Sequence, residues 1–399
     1  MKKNIHHNLI ILGAGLIGMV LALRLAKEGI KVCLVEKKKS SAKDLDGRTT
    51  AISKGSSLVL RKIGAWDDIE KNSQKIQKII VSEGLSNHKL EFDPKTQNYD
   101  SMGYIVDNNI FKGVLEKLIK KNSNVIFENN FDVVNLDLPT RINRNKVVLK
   151  TKGKTLSCNL LLAADGRFSK TRFHAEIKHY YHDYNQTAYV FNIKHKEPHQ
   201  ALALERFFPS GPLALLPMKS YKNKKSSVVW TVENSYGNLL KLSHNQFLGE
   251  FKKRYKNFFG EIEFLSKPIK FNLNVFSCYK FYNNNIVLVG DACQAIHPIA
   301  GQGFNLGVRD SDVLADSLSE AKNLGLEFEN EFVLKNYSTK RIADKFLLIQ
   351  ATHNLNKLFS INSKAIGFIR NLGLNIFNKS KFLKKHSMLY AMGVNNFEI

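Results

Sequence analysis

The chain has 399 residues, 43% of them hydrophobic, and carries 60 lysines and arginines against 35 acids, for a formal net charge of +25. Such a length buries a large core and usually divides into two domains, and the composition is neither disordered nor low-complexity. Lysine outnumbers arginine about four to one and the charges are scattered. Recognition of phosphates and bases favours arginine, so we expect no nucleic acid partner, and attraction to an anionic membrane only as a secondary effect.

The four cysteines (Cys33, Cys158, Cys278, Cys293) form no C-x-x-C pair. They are expected to be reduced core residues with no disulfide and no metal. No signal peptide precedes the first apolar run, and no uncharged stretch reaches ~18 apolar residues, so a cytoplasmic chain without a membrane span is expected.

In chain order, Asn8 to Leu12 reads as a short strand. Gly13-Ala14-Gly15-Leu16-Ile17-Gly18 follows it, and Met19 to Glu28 keeps helical spacing. Ile30 to Val35 is a second strand, ending at Glu36. This order is that of a dinucleotide fingerprint: one glycine makes the turn, one admits the pyrophosphate, and one lets helix and strand pack. An acid rather than a base at position 36 suits an unphosphorylated ribose, as in FAD or NAD.

Asp46-Gly47-Arg48-Thr49-Thr50-Ala51-Ile52-Ser53 comes next. Ile79 to Glu83 and Lys89 to Phe92 are strand-like runs expected to visit a second domain, and Asn108 opens a helix. Asn124 to Glu128, Phe131 to Leu138 and Lys146 to Thr151 read as a meander. The buried strand Leu160 to Ala164 ends in Asp165-Gly166-Arg167, with Ser169 and Arg172 beyond. From Tyr180 to Tyr282, alternating aromatic-rich runs indicate an antiparallel sheet. Ile286 to Val289 is another buried strand; it stops at Gly290-Asp291, and a loop with His297-Pro298 and Gly301-Gln302-Gly303-Phe304-Asn305 leads into a helix. Such a turn places one carboxylate and several bare N–H groups at a sheet end, where they can grip hydroxyls and an electron-rich carbonyl.

GxGxxG, a D-G turn and a G-D turn in this order resemble the class A flavoprotein monooxygenases with the para-hydroxybenzoate hydroxylase fold. Asp46 to Ser53, Phe207-Phe208-Pro209-Ser210-Gly211-Pro212-Leu213-Ala214-Leu215-Leu216-Pro217 and His297 to Asp310 resemble the ubiquinone-biosynthesis hydroxylases within that group. The likeness extends to about Leu348 and is loose beyond.

The resemblance implies an α/β chain: a Rossmann-like FAD-binding domain (residues 1–75, 101–180 and 281–355), a discontinuous antiparallel-sheet substrate domain (76–100 and 181–280) and C-terminal helices (356–399). It implies non-covalent FAD, held by Gly13, Ala14, Gly15, Gly18, Glu36, Arg48, Asn108, Asp165, Gly166, Asp291, Pro298, Gly301, Gly303, Phe304 and Asn305. NAD(P)H would be the electron donor and O2 the co-substrate. The chemistry would be flavin-borne, through a C4a-hydroperoxide that hydroxylates the ring of a polyprenylated phenol, with no catalytic side chain assigned.

Phe207, Pro209, Leu213, Leu216 and Pro217 are candidates for the ring pocket. His297 is a candidate too, although this motif suits a structural histidine better than a general base. Two other readings stay open: a flavin-dependent reductase or epoxidase of an isoprenoid lipid, and a non-catalytic lipid-binding member of a biosynthetic complex. Other ubiquinone-pathway enzymes are possible partners.

Near the C-terminus, Ile366, Phe368, Ile369, Leu372, Leu374, Ile376 and Phe377 form an apolar segment, followed by Lys379, Lys381, Lys384 and Lys385. It suits a foot on the inner face of the cytoplasmic membrane, or a helix packed on protein.

Overall fold

The computed structural model describes residues 4–37, 47–86, 89–360 and 377–394. Asp46 and the apolar residues Ile366, Phe368, Ile369, Leu372, Leu374 and Ile376 lie outside the described residues.

Short apolar runs buried on both faces favour parallel strands covered by helices. Val32–Val35, all four residues buried, is one such run; Leu9–Ile11 within the strand Asn4–Leu12, Leu160–Ala163 within Thr155–Ala163, and Ile286–Leu288 are others. They assemble side by side in the order 282–283, 286–288, 155–163, 4–12, 32–35, 125–128. All neighbours are parallel except the short 282–283 hairpin strand. Their register decides the site: Leu12 lies opposite both Ala163 and Val35, and Ala163 lies opposite Leu288. Four strands therefore end at one level.

One expectation needs correcting. Val125–Glu128 is not part of a meander but pairs in parallel with Val32–Val35. The helix Asn108–Lys121 returns the chain to the sheet's starting end, as a parallel connection requires. The antiparallel excursion consists of 135–137 and 147–150 against 155–163.

The second sheet has nine strands, built on the 17-residue strand His179–His195. Residues 78–83 and 89–92 join it at one edge, beside Leu202–Phe208. Ser243 and Gln246 form a capping box that starts the helix His244–Tyr255. That helix lays Phe247, Phe251 and Tyr255 over Phe191, Leu204, Leu213, Leu215 and Trp230, closing one face of the sheet. The opposite face turns toward the strand ends of the first sheet: Asn192 Nδ2 donates to the Gly47 carbonyl at 2.8 Å, and the Arg48 guanidinium lies 5.5 Å from the Phe271 ring centre. A small third sheet (49–53, 103–107, 74–76) bridges the two.

Two helices, Gln302–Asn323 and Glu331–Ser360, lock the G-D turn in place. Asp310 is fully buried. It accepts from the Gly290 N–H (3.0 Å), from Gln294 Nε2 (3.1 Å) and from Arg341 Nε (2.7 Å). Arg341 reaches on to Asp344, which also holds Arg309. Removing one member of such a network strands the opposite charge away from water. Asp310→Ala is expected to lower the unfolding free energy by ~3–5 kcal/mol in urea titrations. A loss below ~1 kcal/mol would show that the network does not hold the turn.

Candidate cofactor and active site

Because the parallel strands end in register, the residues after them meet. Gly13 follows Leu12, Glu36 follows Val35, Asp165 comes two residues after Ala163, and Asp291 three after Leu288. Ligands of open parallel sheets bind at these carboxyl ends.

The three fingerprint glycines do separate jobs. Gly13 has φ +107°, and a Cβ on it would lie 2.5 Å from the Ala164 carbonyl. A Cβ on Gly18 would lie 1.9 Å from the Gly13 carbonyl. Both positions require glycine for backbone contact. At Gly15 a Cβ would meet nothing within 4 Å, so the absent side chain leaves a cradle. Gly15 also caps the helix Leu16–Lys27, which has neither a side-chain cap nor an acid in its first turn. Bare N–H groups and the positive end of the helix dipole face that cradle, a fit for pyrophosphate. Glu36 accepts the Ala14 N–H at 2.8 Å, so its carboxylate stands beside the same turn.

The second helix N-terminus is also bare. Gly301 (φ +60°) caps Gln302–Asn323 without a side-chain bond, and a Cβ on Gly303 would enter open space. Pro298 starts the tight turn through Gly301, whose N–H returns to the Pro298 carbonyl at 3.0 Å. Ile17 wedges the assembly together: a Cβ on Gly290 would come within 3.1 Å of its side chain, and one on Gly307 within 2.7 Å.

Asp291 exposes its carboxylate although protein surrounds it on nearly all sides, as a side chain on the wall of a deep cleft does. Among the described residues it has no hydrogen-bond partner. Enclosure pushes its carboxyl above the ordinary value; Arg167 and Arg48 pull it down, and Asp310 adds to the rise. Asp165 Oδ2 accepts from the Thr171 hydroxyl at 2.8 Å, while its buried Oδ1 has no partner. Gly166, with φ +80°, has open space beside it. The cradle at Gly15, the unmet Asp165 oxygen and the open Asp291 carboxylate fit a dinucleotide rich in hydroxyls.

Other expected cofactor residues are spent on the protein. Asn305 accepts from the Ser53 N–H (2.9 Å) and donates to the carbonyls of Ala51 and Gly301. Its amide fastens the strand Thr49–Ser53 to the loop. Phe304 turns its ring edge-on to Phe111 at 5.3 Å. Asn108 accepts from the Thr50 hydroxyl at 2.6 Å, and its N–H donates to the Arg48 carbonyl. Arg48 is exposed, with its guanidinium over the Phe271 ring.

The ring-pocket candidates divide between two faces. Successive residues of a strand point to opposite sides. Leu213 is fully buried with Trp230 under the helix His244–Tyr255, and Pro217 shares its parity. Both therefore face that helix rather than the glycine loop. Phe207 and Leu216 face the other way: Phe207 stacks on Phe359 with centroids 4.3 Å apart and packs on Ile299, beside the glycine loop. Pro209 lies in the turn between the two strands.

His297 is almost fully buried, with Nε2 3.1 Å from Gln186 Oε1. Burial pushes it down to about 3, so it stays neutral and is a poor base at working pH. Sequence reasoning missed three further residues. Asp310 and Arg341 are one such pair. Glu205 faces away from the helix His244–Tyr255, and the signal was a carboxylate among the apolar residues of Leu202–Phe208.

The chain matches the family model described as FAD binding domain over residues 7–344. Among curated proteins it is 31% identical to ubiquinone hydroxylase UbiL of Rhodospirillum rubrum, covering 97% of this chain and 89% of that one. It is 30% identical to ubiquinone hydroxylase UbiM of Neisseria meningitidis, over 96% and 84%. It is 28% identical to the 3-demethoxyubiquinol 3-hydroxylase of Escherichia coli, over 96% and 98%. Among solved structures, the p-nitrophenol 4-monooxygenase of Pseudomonas putida aligns over the whole of both chains with a TM-score of 0.82 at 18% identity.

Two substitutions separate the glycine roles. Gly15→Val is expected to leave a folded protein that has lost its yellow flavin, whereas Gly18→Ala is expected to lower stability itself. Melting curves and flavin absorbance read both. A Gly15→Val protein with unchanged FAD affinity would contradict the cradle. Asp291→Ala removes a charged acceptor for hydroxyls worth ~1.5–3 kcal/mol, and should purify partly or wholly without flavin. The family match and the sequence relatives establish that the chain belongs to the FAD binding domain family, as an FAD-dependent monooxygenase of the ubiquinone hydroxylase group.

Proposed function

We propose that this chain hydroxylates the aromatic ring of a polyprenylated phenol on the route to ubiquinone, using NAD(P)H and O2. The observation that carries the reading is the placement of an apolar sheet face directly against the glycine loop. Val81 and Phe207 pack with Ile299 and Phe359; Ala203 and Leu216 pack with Ala51, Ile76, Met388 and Met392. An aromatic ring with a hydrocarbon tail needs such a surface next to the redox group. The names of the relatives point to the same substrate class.

In this reading the N–H groups at Gly15 hold the pyrophosphate, Glu36 the adenosine ribose, and Asp291 and Asp165 the hydroxylated linker. Arg48 meets the phosphates at the mouth of the cleft. Gly301 and Gly303 present the bare helix N-terminus to the electron-rich edge of the flavin, where a positive dipole stabilises negative charge. Bound FAD supplies the redox chemistry, taking hydride from the nicotinamide and activating O2. Phe207, Leu216 and Val81 orient the ring and exclude water.

A lipid substrate must be met at the bilayer. No described helix is long and apolar enough to cross a membrane. The helix Lys381–Met392 docks through Met388 and Met392, and Gln302 Nε2 donates to its Ala391 carbonyl at 3.1 Å. Its other end presents Phe382, Leu383, Lys381 and Lys385 to solvent, with Lys379 just before. We place the membrane contact there, with the same helix docked on the cofactor loop.

Flavin-loaded protein given a short-chain prenylated phenol, NAD(P)H and air should yield a product heavier by one oxygen atom by mass spectrometry. A saturated isoprenoid product formed without O2 would overturn the hydroxylase reading. Replacing Phe382 and Leu383 by serine should reduce flotation with anionic liposomes and leave turnover of the soluble phenol intact; undiminished flotation would remove the helix from the membrane contact.

A further inference from the structure

Glu205 lies in the middle of the strand Leu202–Phe208, and its direction follows from its neighbours. Leu204 is buried in the core under the helix His244–Tyr255, and Arg206 donates to the carbonyls of Arg254 and Tyr255 at the end of that helix. Strand alternation turns Glu205 to the opposite face, with Ala203 and Phe207. The adjacent strands place Val81 and Ala214 beside it. On one side stands the Phe207–Ile299–Phe359 cluster. On the other stand Ala203 and Leu216 with Met392 and Ala51. Both clusters reach the loop or strand that borders the cofactor cleft. Glu205 keeps accessible surface although protein encloses it, so it looks into the space between them.

Apart from Glu83, the residues around it on that face are apolar. No hydrogen bond satisfies Glu205 among the described residues. The titratable group on the same strand face is Glu83, opposite Phe207 two pairs along the neighbouring strand; His297, in the loop before the glycines, is held by Gln186. Neither shifts Glu205 appreciably, and no charged residue of the helix Glu331–Ser360 does so. A lone carboxyl buried opposite a cofactor loop costs stability with no structural gain to offset it, which calls for a ligand.

We propose that Glu205 is a catalytic residue that accepts the phenolic proton of the substrate. The inference rests on the hydroxylase reading above. The phenol O–H bond breaks and its electron pair stays on the ring oxygen, while the proton forms an O–H bond with a Glu205 carboxylate oxygen. Negative charge passes from carboxylate to ring; no electron is gained or lost by the pair. The resulting phenolate is the stronger nucleophile toward the oxygen that the flavin, O2 and NAD(P)H chemistry delivers.

Burial alone pushes Glu205 up to about 8. An ordinary glutamate faces a phenol, near ~10, across roughly six units; here the gap is roughly two, so transfer is disfavoured about 100-fold instead of a millionfold. The base is the ionised form, so kcat/KM should rise with pH through about 8 and then level off.

The test compares wild type with Glu205→Gln, a near-isosteric variant that keeps the neutral volume. Product formation from a short-chain prenylated phenol should fall at least ~100-fold, with flavin content and reduction by NAD(P)H unchanged and peroxide released instead. The rising limb should vanish, and a phenol carrying enough ring fluorines to be ionised at neutral pH, with one ring position left open, should recover most of the loss. Product formation within about threefold of wild type with the same pH limb would overturn the assignment. So would failure of the fluorinated phenol to recover activity. Should the variant not fold, the wild type alone decides: a limb near 8 that disappears with the fluorinated phenol supports Glu205, and its absence overturns it. A wild type that hydroxylates no phenol, while its flavin is reduced and reoxidised, would refute the hydroxylase reading instead.

Discussion

Everything in the site depends on the register of the parallel strands. Leu12, Val35, Ala163 and Leu288 end at the same height, so residues far apart in sequence become neighbours around one cleft. A shift of one residue along any strand would reverse its side-chain faces and carry its turn away from the others. Backbone contact then completes the fit. Gly13 against Ala164, Gly18 against Gly13, and Gly290 and Gly307 against Ile17 leave no room for side chains. The glycines of this site fall into two groups: those that let protein touch protein, and Gly15, Gly166 and Gly303, which leave space for something else.

The electrostatic arrangement follows from the same constraint. Two helices start at the cleft without caps or first-turn acids, so their N–H groups remain available. Carboxylates stand at measured points around them: Glu36 beside the first turn, Asp165 and Asp291 across from it. Asp310, by contrast, is closed off from the cleft. Its oxygens are shared among Gly290, Gln294 and Arg341, and this fixes the turn that presents Asp291. One aspartate holds the frame, and another is left open by it.

Much of the cofactor half was legible in the sequence, because each of its turns follows a short apolar strand and is marked by glycines, by an acid, or by both side by side. The substrate half was less so. Between Gly211 and Pro217 nearly every residue is apolar, so no alternation showed which side chains face the helix and which face the cleft. Leu213 and Leu216 look alike in the sequence and point to opposite sides of the sheet. Val125–Glu128 resembled a meander strand because nothing local distinguishes a parallel edge from an antiparallel one. The Asp310–Arg341 pair links two helices 31 residues apart, a contact that no local pattern encodes. Asn305 sits in a motif next to the cofactor loop, yet its amide is spent on the backbone of Thr49–Ser53, which only the packing reveals.

The central claim is that the aligned strand ends form one flavin cleft facing the apolar side of the second sheet. The most direct measurement is a crystal structure of the protein with FAD and a phenolic ligand. The account predicts the pyrophosphate on the N–H groups at Gly15, the ribityl hydroxyls at Asp291, and the phenol between the glycine loop and the face bearing Glu205 and Phe207. A flavin bound away from Asp291, or a phenol on the face that carries Leu213, would contradict it.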